Sequence, residues 1–200
     1  MMKDVYKTIE GTPEGIYKEK GSKFIAKAFH VETEEEIKTV LNQVKKQYHD
    51  ARHHCYAYRI NPRNEKTRSN DDGEPSGSAG KPILNQIFSF DLYDVLLVVI
   101  RYFGGTKLGV SGLISAYKTS SREALQNAKI VEKEIRDSYR IEFDYVTTNS
   151  VMRVIKEENL LIKNQHFDNK CVIDLEIKLS TVQKSIKRLN QIRGIKLKKL

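Results

Sequence analysis

Four groups of residues in this sequence have types and spacings that chemistry can use. The first is the run Arg101-Tyr102-Phe103-Gly104-Gly105-Thr106-Lys107-Leu108-Gly109-Val110-Ser111-Gly112, which joins an apolar segment to a helix-like one. Free amides at a helix start, glycines that admit a close ligand, and the charge of Lys107 suit phosphate or another anion. Arg101, Gly104, Gly105, Thr106, Lys107, Gly109, Ser111 and Gly112 are therefore the candidate nucleic-acid or anion-binding positions. The known loop patterns do not fit. There is no GxxxxGK[ST] and no GxGxxG, and Gly109-Val110-Ser111-Gly112-Leu113 ends in Leu where a nucleophile elbow has Gly. The same glycines would serve equally well in a tight turn or a close helix contact.

The second group is Asp71-Asp72-Gly73-Glu74-Pro75-Ser76-Gly77-Ser78-Ala79-Gly80. Its three carboxylates could offer oxygen ligands to a divalent cation, but the calcium-loop spacing is missing. The alternative is a shaped acidic turn that faces solvent or orders a basic neighbour such as Arg101 or Lys107. The third group is Arg52-His53-His54-Cys55, preceded by His49. Neighbours on a strand point to opposite faces, so His53 and His54 cannot chelate together. One of them could present a proton donor to a cleft, or both could be structural. The fourth group is the C-terminal stretch 181–200, with Lys184, Lys187, Arg188, Arg193, Lys196, Lys198, Lys199 and no acidic residue. It reads as an auxiliary basic face for phosphate contacts, or as a solvated one. No metal ligand set, cofactor motif or complete nucleophile-base arrangement is present, so no metal and no cofactor are expected and the catalytic residues are unknown.

Several elements must position these groups. Alternation predicts a strand over 23–31, and Thr33 with Glu36 reads as a capping box that opens a helix with Ile37, Val40, Leu41, Val44 and Tyr48 on one face. A strand over 54–60 is followed by a polar loop over 61–80 and a short helix over 82–88. Residues 94–102 are apolar enough to be a strand buried on both faces, and a helix is expected from about Gly112 to Ala128, with Ala116, Ser120 and Ala124 against the sheet. A charged segment, 129–137, marks the domain boundary. Beyond it, Tyr139, Ile141, Phe143 and Tyr145 alternate as a strand, followed by a helix over 148–158. A hairpin of 160–167 and 171–179 turns around Asp168-Asn169, and a helix through Val182, Ile186, Leu189 and Ile192 leads to a closing strand at Ile195 and Leu197. The order βαββαβ fits a ferredoxin-like domain.

With 200 residues, 39% hydrophobic and 30% charged, the chain has enough apolar mass for a core and too many charges for a membrane protein. The N-terminus has no secretory pattern and no apolar run reaches a span, so a cytoplasmic protein is expected, with Cys55 and Cys171 as buried, reduced thiols. The net charge of +9 favours polyanionic partners such as RNA without naming one.

Three stretches, HHCYAYRI (53–60), DDGEPSGSAGKPIL (71–84) and VVIRYFGGTKLGVSGLISAY (98–117), resemble the YigZ/IMPACT family in its bacterial, YigZ-like form, without the eukaryotic RWD domain. The resemblance implies an α+β protein of two domains. Residues 1–132 would be similar to the second domain of ribosomal protein S5. Residues 133–200 would be ferredoxin-like, similar to the last domain of the translocation elongation factor. It also implies a link to regulation of translation, with RNA, the ribosome or a translation-associated protein as partner. The family's signature surface falls on His53, His54, Asp71, Asp72, Gly73, Glu74, Pro75, Gly77 and Gly80 together with the glycine run. The expectation is thus a non-enzymatic binding protein. An enzyme acting on a phosphorylated small molecule or nucleotide through the 71–112 loops is the alternative, and a pure protein-interaction module is a third reading. The oligomeric state cannot be read from the sequence.

Overall fold

The uniformly apolar segment after Asp94 is the structural axis of the first part of the chain. The computed structural model describes residues 4–168 and 170–200. The first elements are β1 (Val5–Glu10), β2 (Glu14–Glu19), β3 (Ser22–His30), α1 (Glu34–Gln47), β4 (His53–Ile60) and β5 (Lys66–Asn70). They continue with α2 (Gly80–Ser89), β6 (Val95–Tyr102), α3 (Gly109–Gln126) and β7 (Lys129–Glu134). The remaining elements are β8 (Arg136–Phe143), α4 (Thr148–Glu157), β9 (Leu161–Phe167), β10 (Cys171–Lys178), α5 (Val182–Asn190) and β11 (Lys196–Lys199). Two compact units result, Tyr6–Lys133 and Glu134–Leu200, the second including Asp4 and Val5.

In the first unit, β2-β3-β6-β4-β5 form an antiparallel sheet with β6 at its centre. Leu96, Val98 and Ile100 meet Ile37 and Val44 of α1 on one face. Val95, Leu97 and Val99 meet Ile83 and Ile87 of α2 and Leu113 and Leu125 of α3 on the other. That double cover explains the absence of alternation in β6. Thr33 caps α1 as expected, its Oγ1 accepting from the Glu36 amide at 3.2 Å. Glu36 reaches back one residue further than a standard capping box, to the Glu32 amide at 2.7 Å. Ala116, Ser120 and Ala124 are fully buried.

Two expectations need correction here. The segment 61–80 is not loop throughout, because Lys66–Asn70 pairs with β4 as the edge strand β5. Its sequence, KTRSN, is polar at every position and so carries no period-two signal, and its stability comes from the ladder rather than from burial. Helix α3 begins at Gly109, three residues before the expected Gly112. The charged segment 129–137 holds strand β7, paired with β1, and the start of β8, and the division into two units falls within it, between Lys133 and Glu134.

The second unit has a four-stranded antiparallel sheet ordered β11-β8-β10-β9, with the hairpin β9-β10 as expected. Asn169 of the expected hairpin turn lies outside the described residues. Tyr139, Ile141, Phe143, Ile173, Leu175 and Ile177 pack against Val151 and Ile155 of α4 and Val182 and Leu189 of α5. Tyr145 does not extend β8. It sits in a 3-10 turn, Tyr145–Thr147, and is 76% exposed, because the chain has already turned toward α4. Helices pack on antiparallel sheets in both units, and the protein is of mixed α and β class. Among the described residues, no helix is long and apolar enough to cross a membrane.

Candidate functional site

The acidic loop is built from two successive turns. Asp72 and Gly73 both take positive φ, 43° and 87°, and the Glu74 amide donates to the Asp71 carbonyl at 2.9 Å, as a type I′ turn requires. Gly77, with φ 74°, shapes the second turn, closed by the Ser78 amide on the Pro75 carbonyl at 3.0 Å. The Asp71 carboxylate accepts from the amides of Gly77, Ala79 and Gly80 at 2.9, 3.0 and 2.8 Å, so it caps α2 from nine residues before Gly80. Burial by itself would raise the Asp71 pKa, but the three amides outweigh it and hold the carboxyl below its ordinary value.

Glu74 turns inward instead. Its side chain is 4% exposed and that of Arg101 7%, and Arg101 Nη1 donates to Glu74 Oε1 at 2.6 Å. The Tyr117 hydroxyl donates to the same oxygen at 2.8 Å, and Cys55 Sγ lies 3.2 Å from that hydroxyl. The network therefore joins four residues of β4, the loop, β6 and α3 around one buried carboxylate. Burial pushes the Cys55 thiol up to about 12, so it is a thiol and no nucleophile at neutral pH. Tyr117 is raised well above its usual value by burial first, then by Cys55 and Glu74. Cys55, a member of the third group, is buried as expected, but its link to Tyr117 has no sequence signal, since contact partners 62 positions apart leave no local pattern.

The two histidines face opposite ways, as strand alternation demands. His54 is buried, its Nε2 3.0 Å from the Tyr48 carbonyl and its amide donating to Asp72 Oδ2 at 2.7 Å. It is a structural residue. His53 lies on the loop side with Nδ1 2.8 Å from the Asp72 carbonyl. An Nδ1–H donor there leaves Nε2 as an acceptor.

A cleft of ≈ 490 Å³ opens beside this network, lined by Arg52, His53, Glu74, Arg101, Phe103 and Lys107 together with the start of α3. No side chain caps α3, and Gly104 to Lys107, Gly109 and Ser111 are exposed. Gly104 is required by packing, since a Cβ on it would lie 1.9 Å from the Gly21 carbonyl carbon. Arg101 lines the cleft and pairs with Glu74 through Nη1, and its Nε is buried without a hydrogen-bond partner. Thus the cleft brings together Lys107, His53, Arg52 and the α3 amides, while Asp71 and Asp72 are committed to backbone amides. Among the described residues no set of three His, Cys, Asp or Glu side chains is placed to hold a metal.

The auxiliary basic residues are not brought onto one face. Lys184 and Arg188 of α5 pair with Glu158, at 3.0 Å for Lys184, and Arg188 also pairs with Glu157. Leu197 packs with the core on the helix side of the sheet, so its strand neighbours Lys196 and Lys198 point to the opposite face. Lys187 is exposed on α5. The period of the strand, invisible in a charge count, splits the group.

Fold and cleft together define a two-unit α+β protein with a loop-and-helix cleft in its first unit. The chain belongs to the IMPACT family. The family model of the Impact N-terminal domain matches residues 20–125, the segment that holds the acidic loop, the buried network and the cleft. The chain is similar to the IMPACT family member YvyE of Bacillus subtilis, with 38% identity over 146 residues, 73% of this chain and 67% of that one. It is also similar to an IMPACT family member of Haemophilus influenzae, with 32% identity over 169 residues, 82% and 81% of the two chains. A crystal structure described as a hypothetical protein has the same fold, with a TM-score of 0.77 at 24% identity over 98% of this chain and 97% of that one.

Proposed function

We propose that this chain is a non-enzymatic cytoplasmic binding protein that contacts RNA or the ribosome in a role linked to translation. The observation that carries the reading is the cleft at the start of α3, where Lys107 and Arg52 flank an uncapped 18-residue helix and exposed Phe103 offers a stacking face. The net charge of +9 supports it through long-range attraction of polyanions. The fold names belong to the same reading. Tyr6–Lys133 is taken as similar to the second domain of ribosomal protein S5. Glu134–Leu200 is taken as ferredoxin-like, supported by the strand order β11-β8-β10-β9 with two helices on one face. Filter binding of RNA over a salt series tests the function. Affinity should fall steeply with salt, and Lys107→Ala and Arg52→Ala should each flatten the slope by about one unit. No RNA affinity, or affinity indifferent to salt, removes the reading.

His53 favours a second reading, an enzyme acting on a phosphorylated small molecule. The Asp72 carbonyl fixes its tautomer and leaves Nε2 as a proton acceptor at a cleft large enough for a metabolite. Turnover of a phosphorylated compound that disappears in His53→Ala would replace the binding reading.

A further inference from the structure

A second cleft of ≈ 490 Å³ lies between α2 and α3, apart from the one just described. Its charged walls are Lys81 of α2 and Lys118 of α3, both exposed, and none of its lining residues is acidic. Between them stand two carboxamides, Asn85 and Gln86. Gln86 is only 7% exposed as a residue, but its carboxamide atoms are not sealed from solvent, and with Asn85 they present free amide groups to the cleft beside Lys81 and Lys118. Pro82 and Ile114 supply an apolar wall beside these groups.

From this arrangement we propose that the α2–α3 cleft binds a nucleotide unit. Lys81 and Lys118 take the phosphate, the amides of Asn85 and Gln86 read the base edge, and Pro82 and Ile114 cover the ring. The chemistry of each part selects the ligand. Two ammonium groups without a carboxylate favour an anion. A carboxamide offers two N–H donors and a carbonyl acceptor, the complement of a base edge, where asparagine and glutamine commonly pair with adenine. A bare phosphate would leave the carboxamides and the apolar wall unused. The same unit is present in a free mononucleotide and in an RNA strand.

The test uses the full chain labelled with 15N, followed by the side-chain amide signals of Asn85 and Gln86. It is titrated separately with AMP, CMP, GMP, UMP, inorganic phosphate and a short unstructured oligoribonucleotide. Saturable shifts with a mononucleotide identify the free nucleotide as ligand, and shifts with the oligonucleotide alone identify an RNA strand. Both support the site. Lys81→Glu combined with Lys118→Glu, exposed positions that leave the core intact, should weaken binding at least about tenfold. Asn85→Ala should reduce the difference between bases while phosphate affinity is kept. Absence of shifts, equal shifts with inorganic phosphate, or shifts unchanged in the double variant overturn the proposal. Arg52→Ala and Lys107→Ala should leave these signals unaltered, so failure at the α3 start and failure here are separable.

Discussion

Glu74 is the residue on which the first unit's buried polar chemistry turns. One carboxylate oxygen receives both the Arg101 guanidinium and the Tyr117 hydroxyl, with almost no solvent access. A charge placed so deep is tolerated only with its counter-charge, and removing one member leaves the other unpaired at a cost of about 3–5 kcal/mol. Glu74→Gln keeps the shape and removes the charge, so urea unfolding should show a loss of roughly that size. Replacing both partners, Glu74→Leu with Arg101→Met, should cost less than the sum of the two single changes. A loss below about 1 kcal/mol for Glu74→Gln would mean that the pair is solvated. The sequence made Arg101 a candidate counter-ion for the acidic loop, and that pairing is what forms. It could not show that the pair is buried, with Arg101 held by Glu74 at the wall of the cleft that Lys107 and Arg52 also line.

At the scale of elements, the acidic loop acts as an N-terminal cap for α2. Helix α2 has no side-chain cap at Ala79, and Asp71 supplies the missing acceptor from the preceding turn. The carboxylate also sits favourably at the positive end of the helix. Because its pKa is held below the ordinary value, its contribution is fully present above about pH 4 and is lost as pH falls through the lowered native pKa. Asp71→Asn should therefore lower Tm at pH 7, equivalent to about 1–3 kcal/mol. The difference from the natural protein should shrink as pH drops below 4, where Asp71 itself becomes neutral. Thermal melts at pH 7 and pH 3 check this, and an equal deficit at both would assign the effect to shape alone. Elements with an apolar signal, α1 by its period and β6 by its unbroken apolar run, were legible from sequence. Strand β5 was not, since an edge strand made of polar residues has nothing to bury.

In the molecule as a whole, two units each close around their own hydrophobic core. The second core holds Ile141, Ile173, Leu175 and Leu189, all fully buried, within a sheet whose strands all lie in 136–199. Residues 134–200 expressed alone should accordingly show a cooperative thermal transition by circular dichroism. A broad, non-cooperative melt would show that the core needs more of the chain. The basic excess is spread over both units, +4 over residues 1–130 and +5 over 131–200. Yet it does not make one surface, because Lys184 and Arg188 answer carboxylates at the C-terminal end of α4, Glu157 and its cap Glu158, while Lys196 and Lys198 point to the other side of the sheet. The sequence by itself determined what local periodicity and family resemblance can carry: the apolar faces of the helices, the double burial of β6, the opposed histidines and membership of the IMPACT family. Tertiary structure alone decided which charges are spent inside and which remain for a partner. Burial and pairing are set by residues 27 positions apart in Glu74 and Arg101 and 62 apart in Cys55 and Tyr117, and no window of sequence contains both members of either pair as neighbours.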